Sequence, residues 1–523
     1  MLFRDMANFL GLDGEPEWKK FLFRWMSLSL VFHLVTAVFS IGHHSADEYF
    51  QILEFVSFRL GNTPANVMPV ELHEHMRQWM QPGIYWCITQ VLQFLGDSNP
   101  FHWAISYRIF SGLFGWVSTV GLALCSRFWF PEVKTQRIAV MALALIWFFP
   151  CFHVRPSSES LAGSSFIIGL CIAFLTWRQN HQKKNWAWSW GAAGIFLGLS
   201  FEFRFQMGFM IFGIFAWLLV FGYRTGRLPL RSLAALVSSS ALVFLLGRSV
   251  DWWGYHQWVF SPWNYFSYNL VRGEVSKYGT APWWDVFRMS MTETWPVLGF
   301  LMAISIVIAW VRHPRHILTW SQVPFFIVHE MIAHKECRFF FPIACAGPIL
   351  ILLSLCSTRT VKLLTFSKTK SVATVWNWTW KFLVLNNLIA LVVLMFVPFA
   401  RVVQFYEGVY DLIPNGAQKF ELFFNDRDPY ILLGNPIYFY RPHQLVTTKF
   451  THYSELKDII LKRSEPLWLF DTQFHLGSEA DPVRPFCKPV YQTFSANYEK
   501  INWGNWLDRT LTWTLYRCEK TGS

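Results

Sequence analysis

The sequence predicts an all-α polytopic membrane protein: a bundle of about 11 transmembrane helices with a small extracytosolic C-terminal α/β domain. Three observations carry this. Of the 523 residues, 53% are hydrophobic and only 15% charged, against about 25% charged in soluble domains. The apolar residues are bunched. Residues 297–311 hold no charge, and 382–399 are interrupted only by Asn386 and Asn387; each run approaches the ~20 residues of a bilayer crossing. Finally, 29 tryptophans and 52 phenylalanines suit a lipid-facing chain with interfacial aromatic belts. The net charge of +12 does not point to nucleic acid, because the basic residues sit in short loops between apolar runs.

In chain order, the apolar runs fall near 22–42, 103–126, 137–152, 160–177, 187–201, 207–222, 232–248, 294–311, 317–333, 338–356 and 380–400. The first is too long for a signal peptide and lacks a small-residue cleavage site. The stretch 81–97 is apolar but brief and opens with Pro82-Gly83, which fits a re-entrant or surface helix. Orientation follows from Lys and Arg in short loops. One alternate set carries Arg127, Lys134 and Arg137, then Arg178, Lys183 and Lys184, then Arg224, Arg227 and Arg231, then Arg312 and Arg315, then Arg359, Lys362, Lys368 and Lys370. That set is cytosolic, and the N-terminal segment 1–21 joins it. Segment 22–400 forms the membrane domain, with 43–102 as a large first extracytosolic loop. A crossing at 81–97 would flip every later loop.

Residues 401–523 form the extracytosolic soluble domain. Short β-prone runs (430–433, 466–470, 511–516) alternate with turn signals such as Asn415-Gly416 and Gly434-Asn435-Pro436. Two of the nine cysteines, Cys487 and Cys518, lie here. An oxidising compartment permits a disulfide between them; spacing alone leaves their pairing open. No metal-ligand spacing and no internal repeat is found.

Ionisable residues at membrane depth are costly and point to function. Here they concentrate opposite the basic loops. The first loop opens His43-His44-Ser45-Ala46-Asp47-Glu48-Tyr49 and continues to Glu74, His75 and Arg77. Arg155-Pro156-Ser157-Ser158-Glu159, Glu202 with Arg204, Asp251 to Tyr255, Lys277 to Trp283, and His334-Lys335-Glu336-Cys337-Arg338-Phe339 follow. Each cluster alone reads equally as an interfacial anchor, an internal ion pair or, for Asp47, a helix cap. Together they suit a polar cavity for a phosphate-bearing lipid, with Arg and Lys on the phosphate and a carboxylate taking a hydroxyl proton.

From about Ser40 to about Pro342, these residues resemble the lipid-dependent mannosyltransferases of GPI-anchor and N-glycan assembly (glycosyltransferase family 22, of the GT-C superfamily). The family's first-loop acidic motif matches Ser45-Ala46-Asp47-Glu48-Tyr49-Phe50-Gln51. Its Asp, Tyr, Trp, Pro and Asn block matches Asp251, Tyr255, Trp258, Pro262 and Asn264, followed by Tyr278-Gly279-Thr280-Ala281-Pro282-Trp283. Its His-Lys-Glu-x-Arg-Phe signature is intact at 334–339. Pro156 and Glu159 depart from the usual Thr and Asn, which points to an unusual acceptor.

The resemblance implies a GT-C-like bundle that moves mannose, with inversion, from a polyprenyl-phosphate carrier to a glycolipid acceptor. It implies Asp47, or else Glu48, as the base. It implies substrate contacts from Arg155, Asp251, Tyr278, His334, Lys335, Glu336 and Arg338, to which the polar clusters themselves add Arg77 and Arg204. The partners are then the bilayer, the lipid-linked donor and the glycolipid, with no nucleic acid and no obligatory cofactor or metal. The alternatives are the same scaffold transferring another sugar to lipid A or a glycolipid, and a lipid-linked sugar flippase or transporter. No Asn-x-Ser/Thr sequon falls in an extracytosolic loop, and the one at Asn377 borders a span. This favours a bacterial inner membrane; in a eukaryote, the endoplasmic reticulum membrane.

Overall fold

The computed structural model describes residues 16–179, 187–224, 228–356, 370–413 and 419–520. The N-terminal residues before Pro16, the basic stretches holding Lys183, Lys184, Arg227 and 359–368, and the Asn415-Gly416 turn lie outside the described residues. The chain divides into two compact units. The first comprises Met1–Ser40, Val70–Ile88 and Ile105–Val397; the second comprises Ile41–Pro69, Thr89–Ala104 and Pro398–Ser523.

The first unit is helical. Its principal helices are α1 (Pro16–Phe39), α2 (Met80–Phe94), α3 (Pro100–Trp129), α4 (Val133–Leu145), α5 (Phe149–His153), α6 (Ser158–Gln179), α7 (Ala187–Phe203), α8 (Gly208–Trp217), α9 (Leu230–Tyr255), α10 (Asp285–Thr292), α11 (Pro296–Arg312), α12 (Ile317–Met331), α13 (Gly347–Leu355) and α14 (Lys370–Phe396). Six helical segments are long and apolar enough to cross a bilayer: α1, α3, α6, Phe205–Tyr223, α9 and Thr374–Phe396 within α14. Two bent pairs add to them. α11 and α12 meet at 118°, and Cys337–Ala344 meets α13 at 68°. This is a multi-pass membrane protein with six to eight such spans among the described residues.

Several of the eleven expected crossings are therefore shorter helices or broken ones. The run at 137–152 breaks between α4 and α5 at Ile146, Trp147 and Phe148. Apolar composition continues through that break, so periodicity could not mark it. The 81–97 stretch is α2, 15 residues long, or roughly 22 Å at 1.5 Å per residue, short of the ~30 Å hydrocarbon core.

α6 lies at the centre of the bundle and is buried along nearly its whole length. It packs on α7, which packs in turn on α9. Small residues bring α7 and α9 together: a Cβ on Gly194 would lie 2.1 Å from Ser239 Oγ and 2.3 Å from the Leu236 carbonyl. Close backbone approach through small residues is the usual solution in lipid, where burial alone gives helices little reason to associate. On the outside, α1, α9 and α14 expose Phe23, Val31, Leu242, Leu245, Phe382 and Leu385, the expected lipid face.

The second unit is an α/β assembly. Strands β1 (Phe420–Phe424), β2 (Ile431–Leu432), β3 (Asn435–Pro436), β4 (Leu445–Lys449), β5 (Leu467–Asp471), β6 (Cys487–Gln492) and β7 (Thr514–Cys518) join two helices, α15 (Val402–Leu412) and α16 (Tyr453–Lys462). Five strands form one sheet in the order β4-β1-β5-β7-β6, and β2 pairs with β3. β1 is parallel to β4 and β5, whereas β7 is antiparallel to β5 and β6. α16 supplies the crossover that a parallel β4–β5 arrangement requires, burying Leu456 and Ile460 against the sheet. Cys487 and Cys518 face each other in the β6–β7 register and form a disulfide.

Segments of the first loop are built into this unit. The Glu54 carboxylate is buried. It accepts hydrogen bonds from Tyr438 N (2.8 Å), Phe439 N (3.0 Å) and Thr63 Oγ1 (2.7 Å). Burial pushes its carboxyl above the ordinary range, against those three donors. Rings from both stretches stack beside it, Phe101 on Tyr440 at 4.8 Å and Tyr49 near Tyr440 at 5.6 Å.

Candidate functional site

Within the first unit, the scattered sequence clusters meet. Pro156 breaks the chain after α5, and Ser157 caps α6 by accepting from Ser160 N at 3.2 Å. This sets Glu159 in the first turn of α6, where the helix dipole favours an anion. Arg204 sits at the extended break between α7 and the turn leading to α8. Its Nη1 donates to Glu159 Oε1 at 2.6 Å, with Ser158 Oγ at 3.3 Å.

The segment between α12 and Phe341–Ala344 brings in Arg338. Its guanidinium makes two hydrogen bonds to Glu336 (2.6 and 3.0 Å) and lies 3.6 Å from Glu159 Oε1. Both guanidinium groups also lie over the Phe339 ring, at 5.2 Å for Arg204 and 5.4 Å for Arg338. Arg77 is near enough for its charge to act on the same Glu159 carboxylate. Arg204 and Arg338 thus meet at one carboxylate, and this shell is almost closed to solvent: Glu159 is 2% exposed, Arg204 7% and Arg338 8%.

His334 continues the chain, with Nε2 3.0 Å from Glu336 Oε1 and Nδ1 3.2 Å from the Gly279 carbonyl. Ala281 N donates to the Ala333 carbonyl at 2.8 Å. The Tyr-Gly-Thr-x-Pro-Trp block is thereby fastened to the His-Lys-Glu motif, with Tyr278 at the exposed rim and its ring 6.1 Å from His334. Burial works against the ionised form of Glu336, and Arg338 and His334 outweigh it, holding its carboxyl below the ordinary range.

Asp251 belongs to a second buried network. Its carboxylate accepts from Trp79 N (2.7 Å), Ser261 Oγ (2.8 Å) and Arg248 Nη1 (2.6 Å). Arg248 Nη2 reaches Glu202 Oε2 at 2.8 Å, and Gln78 Nε2 the same oxygen at 3.3 Å. Gly247 makes room for this, since a Cβ there would fall 2.1 Å from Glu202 Oε2. Tyr255 OH donates to the Arg77 carbonyl at 2.7 Å and accepts from Arg77 N at 3.1 Å. Asp251 and Tyr255 together pin residues 77–79 by their backbone, which fixes where Arg77 stands. The sequence reading missed Arg248. Its signal was present: a lone cation after the charge-free stretch 232–247, three residues before Asp251 on the same helix face.

Two expected phosphate contacts stand elsewhere. Arg155 donates to the Ser40 carbonyl and to Ser40 Oγ, a latch on the chain just after α1. Lys335 caps the end of α12, donating to the carbonyls of Glu330 (3.1 Å) and Ile332 (2.6 Å).

Asp47 and Glu48 lie in the second unit, in the short helix Ala46–Glu48, whose cap Ser45 accepts from Asp47 N at 3.3 Å. Glu48 is buried and folds back, accepting from His44 N at 3.0 Å. Asp47 is half-buried. Among the described residues, no three of His, Cys, Asp and Glu gather as metal ligands.

The helices and this nearly closed cluster of Arg204, Arg338 and Glu159 define the class: a multi-pass membrane protein with a guanidinium-bearing polar centre. The profile of the Alg9-like mannosyltransferase family matches residues 24–440, and the chain belongs to that family. Among curated proteins it is similar to GPI mannosyltransferase 3 of Candida albicans, 23% identical over 330 residues; the match spans 63% of this chain and 62% of that relative. Its fold is similar to that of ArnT from Cupriavidus metallidurans, solved bound to undecaprenyl phosphate. The TM-score is 0.51 at 11% identity, covering 94% of this chain and 97% of ArnT. The fold likeness agrees with the GT-C-like architecture that the sequence motifs imply.

Proposed function

We propose that this protein is an inverting mannosyltransferase that moves mannose from a polyprenyl-phosphate carrier to a glycolipid acceptor on the extracytosolic face of the membrane. The observation that carries the reading is the convergence of Arg77, Arg204 and Arg338 on Glu159. Cations held this close repel one another, and the two carboxylates among them, Glu159 and Glu336, leave one of the three guanidinium charges unbalanced. A phosphate diester brings the missing negative charge and acceptors that suit planar guanidinium forks.

The chemistry needs little else. The donor's leaving group departs as a phosphate that already carries its charge, and the guanidinium groups stabilise the charge that grows on it. Asp47 takes the proton from the acceptor hydroxyl as that oxygen attacks the anomeric carbon. Glu48, committed to the His44 backbone, shapes the turn that presents Asp47. The relative's name, GPI mannosyltransferase 3, supports mannose as the sugar and a GPI-like or lipid-linked glycan as the acceptor. The location is a bacterial inner membrane, which the sequon pattern favours, or in a eukaryote the endoplasmic reticulum membrane, which the relative's GPI role favours. The test is mass spectrometry of glycolipids from a strain lacking this chain. One glycolipid short of a single hexose, restored by the wild-type gene, supports the reading. An unchanged glycolipid profile overturns it.

A further inference from the structure

Glu330 lies one residue from the end of α12, beneath the exposed rim formed by Met331 and Ala333. Its side chain is 9% exposed. Both carboxylate oxygens are buried, and neither accepts a hydrogen bond. Donors on the adjoining segments, α10 and 334–338, are committed elsewhere. Arg288 places two nitrogens on Asp285 at 2.6 and 2.9 Å, while Arg338 and His334 hold Glu336. Lys335 Nζ gives two protons to the carbonyls of Glu330 and Ile332. Its distance to Glu330 Oε2, 3.9 Å, is an ion-pair separation too long for a hydrogen bond.

An ionised carboxylate left this way is expensive, because a buried acceptor without partners keeps its full desolvation cost. The group that relieves it must donate, since a carboxylate has only acceptor sites. A phosphate oxygen cannot do so and would be repelled. A hydroxyl can: its oxygen fits ~2.8 Å from both Oε2 and Nζ, donating to one and accepting from the other. The second oxygen, Oε1, is then available to an adjacent hydroxyl, as on a pyranose ring.

We propose that Glu330, with Lys335, is a sugar-binding site that takes the hydroxyls of a hexose at the transfer centre. The proposal rests on the mannosyl-transfer reading above. It assigns Lys335 to the sugar rather than to the phosphate.

The experiment uses the purified full chain in lipid nanodiscs, as wild type, Glu330→Gln and Glu330→Ala. It measures kcat/KM with polyprenyl-phosphate mannose, with donor analogues lacking one ring hydroxyl at a time, and with the native glycolipid fraction as acceptor. If the hydroxyls belong to the donor, wild type loses about 10- to 100-fold with one particular deoxy donor. Glu330→Ala loses a similar factor with the full donor and nothing further with that analogue. If they belong to the acceptor, all deoxy donors are used alike, and Glu330→Ala raises the KM for the glycolipid by the same factor. Wild-type kinetics in Glu330→Ala overturn the proposal and leave a bridging water as the occupant. Uniform loss in both variants with every substrate, together with a lowered melting temperature, also overturns it, as a structural ion pair. Absence of transfer by wild type removes the mannosyl-transfer reading and this site with it. Wild-type transfer with an indifferent Glu330→Ala removes this site alone.

Discussion

Replacing Arg338 with alanine removes two things that can be measured apart. The guanidinium holds Glu336 through two hydrogen bonds and lies 3.6 Å from Glu159, so its loss strands carboxylates in a nearly closed shell. Breaking a buried pair on one side costs about 3–5 kcal/mol of stability. It also removes one charge-assisted contact from a bound phosphate, worth about 1.5–3 kcal/mol, or roughly 10- to 150-fold in affinity. The double variant Arg338→Ala, Glu336→Gln separates the effects, because it also neutralises the stranded carboxylate. Most of the lost melting temperature is expected back, whereas affinity for undecaprenyl phosphate stays low. Arg338→Lys keeps the charge but not the fork and is expected to bind with intermediate affinity. The assay is a titration of undecaprenyl phosphate into nanodisc-embedded protein, with thermal unfolding alongside. Wild-type affinity in a variant that is visibly destabilised would refute the reasoning and leave Arg338 as an internal ion pair.

Three further predictions follow from the same contacts. Tyr255→Phe keeps the ring but loses both bonds to the Arg77 backbone; its effect on undecaprenyl phosphate affinity should be non-additive with Arg77→Ala, and additive effects would show that the clamp does not act through Arg77. Cys487→Ser closes off the disulfide, whose cysteines are 31 residues apart. The loop-entropy estimate is about 3–4 kcal/mol, read as an earlier loss of C-terminal structure under urea than in the wild type. Reporter fusions after Arg127, Arg231 and Arg315 should read cytosolic and one at Ser523 should not; a cytosolic C-terminal reporter contradicts the expected topology.

How much of this was legible in the sequence depends on what each feature owes to composition. The long spans α1, α3 and α14 show as apolar runs because residues facing lipid must be apolar, and α6 because it is buried among other helices on all sides. α9 was read only to residue 248, yet it continues to Tyr255. The charges of Arg248 and Asp251 interrupt the apolar run without ending the helix, because Arg248 pairs with both Asp251 and Glu202. The breaks after Leu145 and before Gly347 were hidden for the opposite reason: the chain stays apolar while its direction changes.

In the site, motifs located the residues and orientation did not follow. Glu159 stood out as a departure from the family's Asn; that it draws Arg204 and Arg338 together is a three-dimensional fact. Arg155 and Lys335 share the residue types of a phosphate site, and each donates to backbone carbonyls. Glu54 was not singled out, although an acid inside the apolar run from Tyr49 to Val56 signals a buried acceptor. Its donors, Tyr438 and Phe439, are more than 380 positions away in sequence, beyond any local pattern.

The most direct test of the central claim follows labelled mannose. Purified wild-type protein, polyprenyl-phosphate mannose carrying a radiolabel and the glycolipid fraction are incubated together, with Asp47→Asn and Glu48→Gln in parallel. A carboxylate accepts a hydroxyl proton and an amide of the same shape does not. Asp47→Asn is therefore expected to insert and fold normally while transferring label about 10²- to 10⁴-fold more slowly, and Glu48→Gln to retain most of its turnover. Transfer at the wild-type rate by both variants, or no transfer of label by the wild type itself, would contradict the account.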